Sequence, residues 1–234
     1  MPAVNPRVSV LLTAYNRPGM LVKAIESVLA QTFTDFELII LDDNSPHPDQ
    51  RQVMAQYWDT PQVRFYKDNI QNQDRRARVR YAVLANIGLK LADGDYITYL
   101  CDDDLYLPHR LEVMVKRLDR GDCQVVYGSQ RLRYESDGEN YNGPERGPLA
   151  TEILDDAWWK VDHSSVMHTK VVAMEVDGWD EDPQYWKYAD AAFWRRLNKV
   201  GHKFYPVGEY TDVRLFHSNS ETASERLGEQ RAVD

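Results

Sequence analysis

The first hundred residues alternate between short apolar runs and stretches of helical spacing, and this alternation constrains the fold more than any other feature of the chain. Val8 to Thr13, Phe36 to Leu41, Val63 to Tyr66 and Tyr96 to Leu100 are β-prone runs. Between them, Leu21, Val22, Ile25, Val28 and Leu29 recur at helical spacing, and the polar segment from Gln50 to Trp58 reads as helix. Arg76 to Leu91 reads as a longer helix with Tyr81, Leu84, Ile87 and Leu91 on one face. Strands alternating with helices imply βαβ units and a mostly parallel sheet. Right-handed crossovers then place the first strand between the second and the fourth. In that order the turn after Thr13, the Asp42-Asp43 tip and the tip of the fourth strand all meet at the carboxyl edge of the sheet, beside the switch point where such sheets bind ligands.

The fourth run ends in Asp102-Asp103-Asp104. Three adjacent carboxylates repel one another, so they persist at a strand tip where a cation joins them or where water solvates them well. A hard divalent ion, Mg²⁺ or Mn²⁺, suits them and leaves positions for diphosphate oxygens. An acidic turn before a helix beginning near Pro108 is the plainer account of the same residues.

At 234 residues the chain supports one substantial α/β unit with an ample core, and no linker composition marks a boundary. A net charge of −9 argues against a nucleic-acid partner, since the short Arg75, Arg76, Arg78, Arg80 run is the only basic stretch. Cys101 and Cys123 lie in apolar runs, which points away from a disulfide framework and toward a cytoplasmic protein. No apolar run is long enough for a transmembrane segment. Beyond Pro108 we expect a helix to about Leu118, a strand at Gln124 to Tyr127, a hairpin or excursion over Arg131 to Pro148, and a strand over Asp162 to His168. A helix from Tyr188 to Val200 would stop at Gly201, and Ser218 to Asp234 would be a mobile polar tail.

Several pieces in order resemble a known family. Val8-Ser9-Val10 through Asn16-Arg17, Asp42-Asp43-Asn44-Ser45, the strand ending in Asp102-Asp103-Asp104, and Gly178-Trp179-Asp180-Glu181 followed by Asp190 and Gly201 are similar to inverting nucleotide-sugar glycosyltransferases of family 2, with a GT-A fold. Arg80-Tyr81-Ala82 and Asp162-His163 with Ser165-Val166-Met167-His168 bring the pattern close to the spore coat polysaccharide enzymes within it. The resemblance spans roughly residues 7 to 217. It implies a single GT-A domain, with residues 1–104 as nucleotide-binding half, 105–217 as acceptor-side half and 218–234 as tail.

Carried over residue by residue, the resemblance implies that Thr13 and Tyr15 line the nucleotide pocket, with the Tyr15 ring against the base. Asp43 would accept from a pyrimidine N–H, Arg75 would approach the base or diphosphate, and Asp102 would hold the ribose. Asp103 would bind the metal, joined by the late histidine His217, and Asp190 would be the catalytic base. The donor would be a UDP or dTDP sugar, and the acceptor a glycan or other hydroxyl. Asp104 stands where the spore coat pattern has Asn, so an Asp-x-Asp reading also makes Asp104 a metal ligand. Ala189 replaces a Glu common before the base, and the Gln-x-x-Arg-Trp signature of processive synthases is absent, so transfer would be non-processive.

Each residue also has a plainer reading. Tyr15 packs as a loop aromatic, Asp43 caps a turn with Ser45, and Arg75 belongs to a solvated cluster. His163 and His168, five apart on a strand-like run, face opposite sides and make a poor metal pair; His163 is the better acceptor-side candidate. Trp179 and Trp186 are the best of the tryptophans for stacking on an acceptor sugar, although most tryptophans fill core. Two other functions share the layout: a sugar nucleotidyltransferase, whose Gly-rich basic loop is missing after the first strand, and a non-catalytic nucleotide-sugar binding protein.

Overall fold

The structure, a computed structural model, describes residues 5–136, 139–141 and 149–216. The expectations for His217 and the tail 218–234 fall outside these residues. The elements in chain order are β1 (Val8–Ala14), α1 (Pro18–Leu29), β2 (Phe36–Asp42), α2 (Pro48–Ala55), β3 (Val63–Lys67), α3 (Arg80–Leu91), β4 (Tyr96–Cys101), β5 (Asp104–Tyr106), α4 (Arg110–Leu118), β6 (Val125–Ser136), β7 (Glu139–Tyr141), β8 (Val166–Thr169), α5 (Lys170–Glu175), α6 (Ala189–Lys199) and β9 (Phe204–Phe216).

The strands form one sheet in the order β3-β2-β1-β4-β8-β6-β9-β5, with β7 paired to β6. β3, β2, β1 and β4 are parallel, and Val8 faces Phe36 on one side and Tyr96 on the other. The first strand therefore lies between the second and fourth, as the alternation requires. β8 is antiparallel to both β4 and β6, while β9 runs parallel to β6 and antiparallel to β5.

β1 reads as a largely apolar run because both faces of the sheet are covered. Val10 and Leu12 pack with Leu21, Ile25 and Val28 of α1 and Leu111 and Met114 of α4, whereas Leu11 packs with Ala82 and Ala85 of α3 and Phe193 and Trp194 of α6. Arg110 fastens the later strands to this frame. Fully buried, it donates to Asp212 Oδ1 at 2.9 Å, Thr211 Oγ1 at 3.1 Å and Thr98 Oγ1 at 2.8 Å, and its guanidinium lies 4.1 Å from the Tyr106 ring.

The structure differs from the sequence reading in three places. The helix expected from Arg76 begins at Arg80, because Asn72–Ala77 forms a 3-10 turn and Val79 is extended, its N–H given to Glu181 O. Asp162 caps a second 3-10 turn, His163–Ser165, so only Val166–Thr169 of the Asp162–His168 run is strand. The strands β5 and β9 and helix α5 had no counterpart in the sequence reading. Gly201, with φ +101°, ends α6 where expected.

Candidate active site

Two asparagines shape the tips of β1 and β2. Asn16 and Asn44 take left-handed backbone at φ +58° and +56°, which asparagine tolerates better than most residues. Ser45 ties the two turns together: its Oγ accepts from Asn16 N at 2.9 Å and donates to Asp42 Oδ1 at 2.5 Å. The local capping role thus falls to Asp42, and Asp43 is turned elsewhere. Its Oδ1 accepts from Arg80 Nε at 3.0 Å and Nη2 at 2.6 Å, and its Oδ2 from Arg75 Nη2. The Arg75 guanidinium lies 3.8 Å from the centroid of the Tyr15 ring, which is 37% exposed. Tyr15, Asp43 and Arg75 are therefore in one place, and Thr13, near the end of β1, has its Oγ1 3.8 Å from Cys101 Sγ.

The acidic triplet separates into three environments. Asp102 is buried and accepts from Tyr15 N at 2.8 Å and Arg17 Nη1 at 3.1 Å. Asp103 is half-buried and accepts from the same Arg17 Nη1 at 2.7 Å. Asp104, on β5, turns inward and accepts from Ser164 Oγ at 2.8 Å and Leu215 N at 3.3 Å. This position takes Asp104 out of the open metal set offered by the Asp-x-Asp reading, because its oxygens serve the β5–β9 seam. Asp103 is the carboxylate of the three on the open side.

A second acidic group lies across β4. His163 Nε2 is 3.1 Å from Cys101 Sγ, and its Nδ1 is 3.7 Å from Asp162 Oδ1 and 3.8 Å from Asp190 Oδ2. Asp162 Oδ2 accepts from Arg214 at 2.9 Å, and the His163 ring stacks on Tyr81 at 5.9 Å. Asp190 stands in the first turn of α6, where a carboxylate complements the helix dipole. Burial works against charge on His163, yet Cys101, Asp162 and Asp190 together hold its pKa well above the usual histidine range. The ligand atoms of Asp162, His163 and Asp190 all lie within 4.8 Å of one another, a grouping compact enough in geometry for an ion.

The residues at the triplet fit a divalent cation. Burial and then Asp103 push Asp102 up to about 7 against the pull of Arg17, and burial, Asp103 and Asp162 push Asp104 well above the carboxylate range. The charge of Asp103 beside Asp102 and Asp104 is of the kind a dication relieves, and Asp103, the carboxylate on the open side, offers it hard oxygens.

The remaining candidates divide sharply. Trp179 is only 3% exposed, stacked on Phe193 with Nε1 given to the Tyr99 hydroxyl at 3.1 Å, so the expected sugar-stacking role does not hold for it. Trp186 is half-buried behind the 3-10 turn Pro183–Tyr185. His168 is fully buried against Tyr99, where burial lowers its pKa to about 4, and it does not meet His163. Arg17, Tyr81, Arg214 and Cys101 were given no role in the sequence reading. Arg17 had a visible signal, as the cation in the turn after β1, whereas Arg214 reaches the site through a strand pairing that no local pattern announces.

A mostly parallel α/β sheet carrying acidic tips at its switch point fits a GT-A-type fold, and the comparisons agree. The model for "Glycosyl transferase family 2" matches residues 9–178. The chain belongs to that family. It is 38% identical over 217 residues to Protein CgeD of Bacillus subtilis (strain 168), covering 90% of this chain and 50% of that protein, so it spans half the length of that relative. Among solved structures, S. aureus TarS 1-349 in complex with UDP-GlcNAc superposes with a TM-score of 0.73 at 14% identity, over 93% of this chain and 61% of that one. The mannosyltransferase PcManGT from Pyrobaculum calidifontis, in complex with GDP-Man and Mn²⁺, superposes with a TM-score of 0.69 at 14% identity, over 95% and 61%. At such identity these two speak for the fold. No helix among the described residues is long and apolar enough to cross a membrane.

Proposed function

We propose that the chain transfers a sugar from a UDP or dTDP donor to a hydroxyl of a glycan acceptor, inverting the anomeric carbon in one displacement. The supporting observation is one connected line of residues, joined by side-chain contacts, one backbone N–H and one chain neighbour. It runs from Asp43 and Arg75 over Tyr15 to Asp102, and from Cys101 beside Asp102 through His163 to Asp190. Residues 1–104 supply the nucleotide end of this line, and 105–217 supply the acceptor end.

In this reading the base stacks at Tyr15 with an N–H toward Asp43, Thr13 lines the pocket, and Asp102 meets the ribose. Asp103 would hold Mg²⁺ or Mn²⁺, as the Mn²⁺ complex of PcManGT supports by analogy. A cation held there would supply charge relief at the departing diphosphate. Asp190 takes the proton of the acceptor hydroxyl while that oxygen forms its bond to the anomeric carbon and the diphosphate leaves with the bonding electrons. His163, with Nδ1 3.8 Å from Asp190 Oδ2, would help position the Asp190 carboxylate. The Ala189 departure does not require a decayed site: Ala189 is fully buried and gives its N–H to the Tyr81 hydroxyl at 2.8 Å, so a carboxylate there would enter the core. The motif likeness to spore coat polysaccharide enzymes supports a polysaccharide acceptor.

The test is Asp190→Asn, which keeps shape and removes the base. Turnover should fall by about 10²–10⁴-fold, with UDP affinity unchanged. Loss of UDP affinity instead would move Asp190 into the donor site and remove this assignment.

A further inference from the structure

Trp159, the most exposed tryptophan among the described residues, is not one of the pair expected from the sequence. Trp158 and Trp159 occupy a turn from Ala157 to Lys160, closed by Lys160 N to Ala157 O at 3.1 Å. Trp159 has φ +61°, a backbone that glycine or asparagine adopts without strain and a bulky residue does not. Strain of this kind is held in place by its surroundings and gathers at sites that act on something. The indole it carries is 64% exposed, so the fold gains little from it.

These rings form a built surface. Trp159 lies 5.6 Å from Tyr188 and 5.9 Å from Trp158, the two indoles meeting at 84°, and Trp158 lies 5.7 Å from Tyr188. Tyr185 adds an edge contact to Tyr188 at 5.7 Å, and the Arg195 guanidinium sits 5.1 Å over Trp158. The chain carries this surface close to the candidate base and its histidine neighbour. Tyr188 precedes Asp190 by two residues, at most about 7 Å along the backbone, and the Trp158-Trp159 turn runs directly into Asp162 and His163.

We infer that Trp158, Trp159 and Tyr188 form the platform on which the acceptor glycan lays a sugar ring. Aromatic faces are electron-rich, and the C–H groups on one face of a pyranose are their complement, while tyrosine hydroxyls and a guanidinium can meet the sugar's own hydroxyls. The naming of the occupant as an acceptor rests on the transferase reading; the sugar-binding surface itself does not.

The test uses the full chain with ¹⁵N-labelled tryptophan, whose six indole N–H signals are followed by NMR during titration with cellotetraose, chitotetraose and a β-1,3-linked glucotetraose. The Trp159 signal should shift with at least one of them. Trp58, 57% exposed after α2 on the other layer of the sheet, should not. Trp159→Ala should weaken that oligosaccharide's binding about tenfold, Trp159→Phe should retain most of it, and neither should alter UDP affinity in Mn²⁺. The inference is overturned if none of the three moves Trp159, if Trp58 responds equally, or if Trp159 shifts with protein concentration and not with sugar, which would make the surface a contact between copies. UDP that fails to bind while sugars shift Trp159 would remove the transferase reading and leave the platform standing. A silent Trp159 with intact UDP binding would do the reverse.

Discussion

The guanidinium of Arg75 lies 3.8 Å from the centroid of the Tyr15 ring while its Nη2 reaches the carboxylate of Asp43. A flat group that stacks on Tyr15 and donates N–H to Asp43 is also a description of a pyrimidine base. On the proposed donor site, then, the base takes over contacts that Arg75 now makes, and the guanidinium moves toward the diphosphate. Base stacking on an aromatic contributes about 1–3 kcal/mol, so Tyr15→Ala should lower UDP affinity roughly tenfold or more, and Tyr15→Phe should leave it nearly unchanged. Calorimetric titration checks both. Equal affinities in wild type and Tyr15→Ala would put the base elsewhere.

The same carboxylate also carries stability. Asp43 is buried among Arg75, Arg80 and, beyond Arg80, Asp68. Removing one member of a buried ion network leaves charge without its partner, at about 3–5 kcal/mol. Asp43→Ala should therefore lower the urea midpoint markedly with an unchanged slope. Arg78→Ala, which removes the exposed rim pair with Glu181, should barely move it.

Much of the first half was legible in the sequence, because β1, β2 and β4 are buried on both faces and read as largely apolar, β-prone runs whose order follows from crossover handedness. The meeting of Tyr15, Asp43 and Asp102 follows from that order alone. The second half was not legible, for physical reasons. β9 contains Pro206, Gly208 and Glu209 and is held by long-range pairing to β6 and β5, which local propensity does not report. Trp179 and Trp159 look alike in sequence, and only packing sends one into the core and the other into solvent. The Asp43, Arg75 and Arg80 network joins residues 32 and 37 positions apart, with no spacing rule to announce it.

His168 gives the stability a pH dependence. Burial keeps its ring neutral in the fold down to about 4, while the unfolded chain takes up a proton near 6.5. The unfolded state thus binds more protons between these values, and stability is lost as the pH falls through that window. Between pH 7 and pH 5 the His168 share is about 2 kcal/mol. Asp212, which burial raises to about 6 in spite of Arg110, acts in the opposite direction over part of the same window. That contribution is common to wild type and His168→Gln, so it cancels when the two are compared. Urea unfolding at both pH values should show the wild type losing about 2 kcal/mol more than the variant; equal losses would mean that His168 is protonated in the fold.

The central claim is a metal-assisted nucleotide site at the tips of β1, β2 and β4, with Asp103 as the outward carboxylate. Its most direct test is the calorimetric titration of UDP into wild type, Asp103→Asn and Asp104→Asn, each with Mn²⁺ and again with a chelator. The account predicts that UDP binds wild type tightly only with Mn²⁺, and that Asp103→Asn binds weakly and equally with or without the metal. Asp104→Asn, in that case, keeps the metal dependence even if the fold is less stable. UDP affinity that ignores both Mn²⁺ and Asp103 would contradict it.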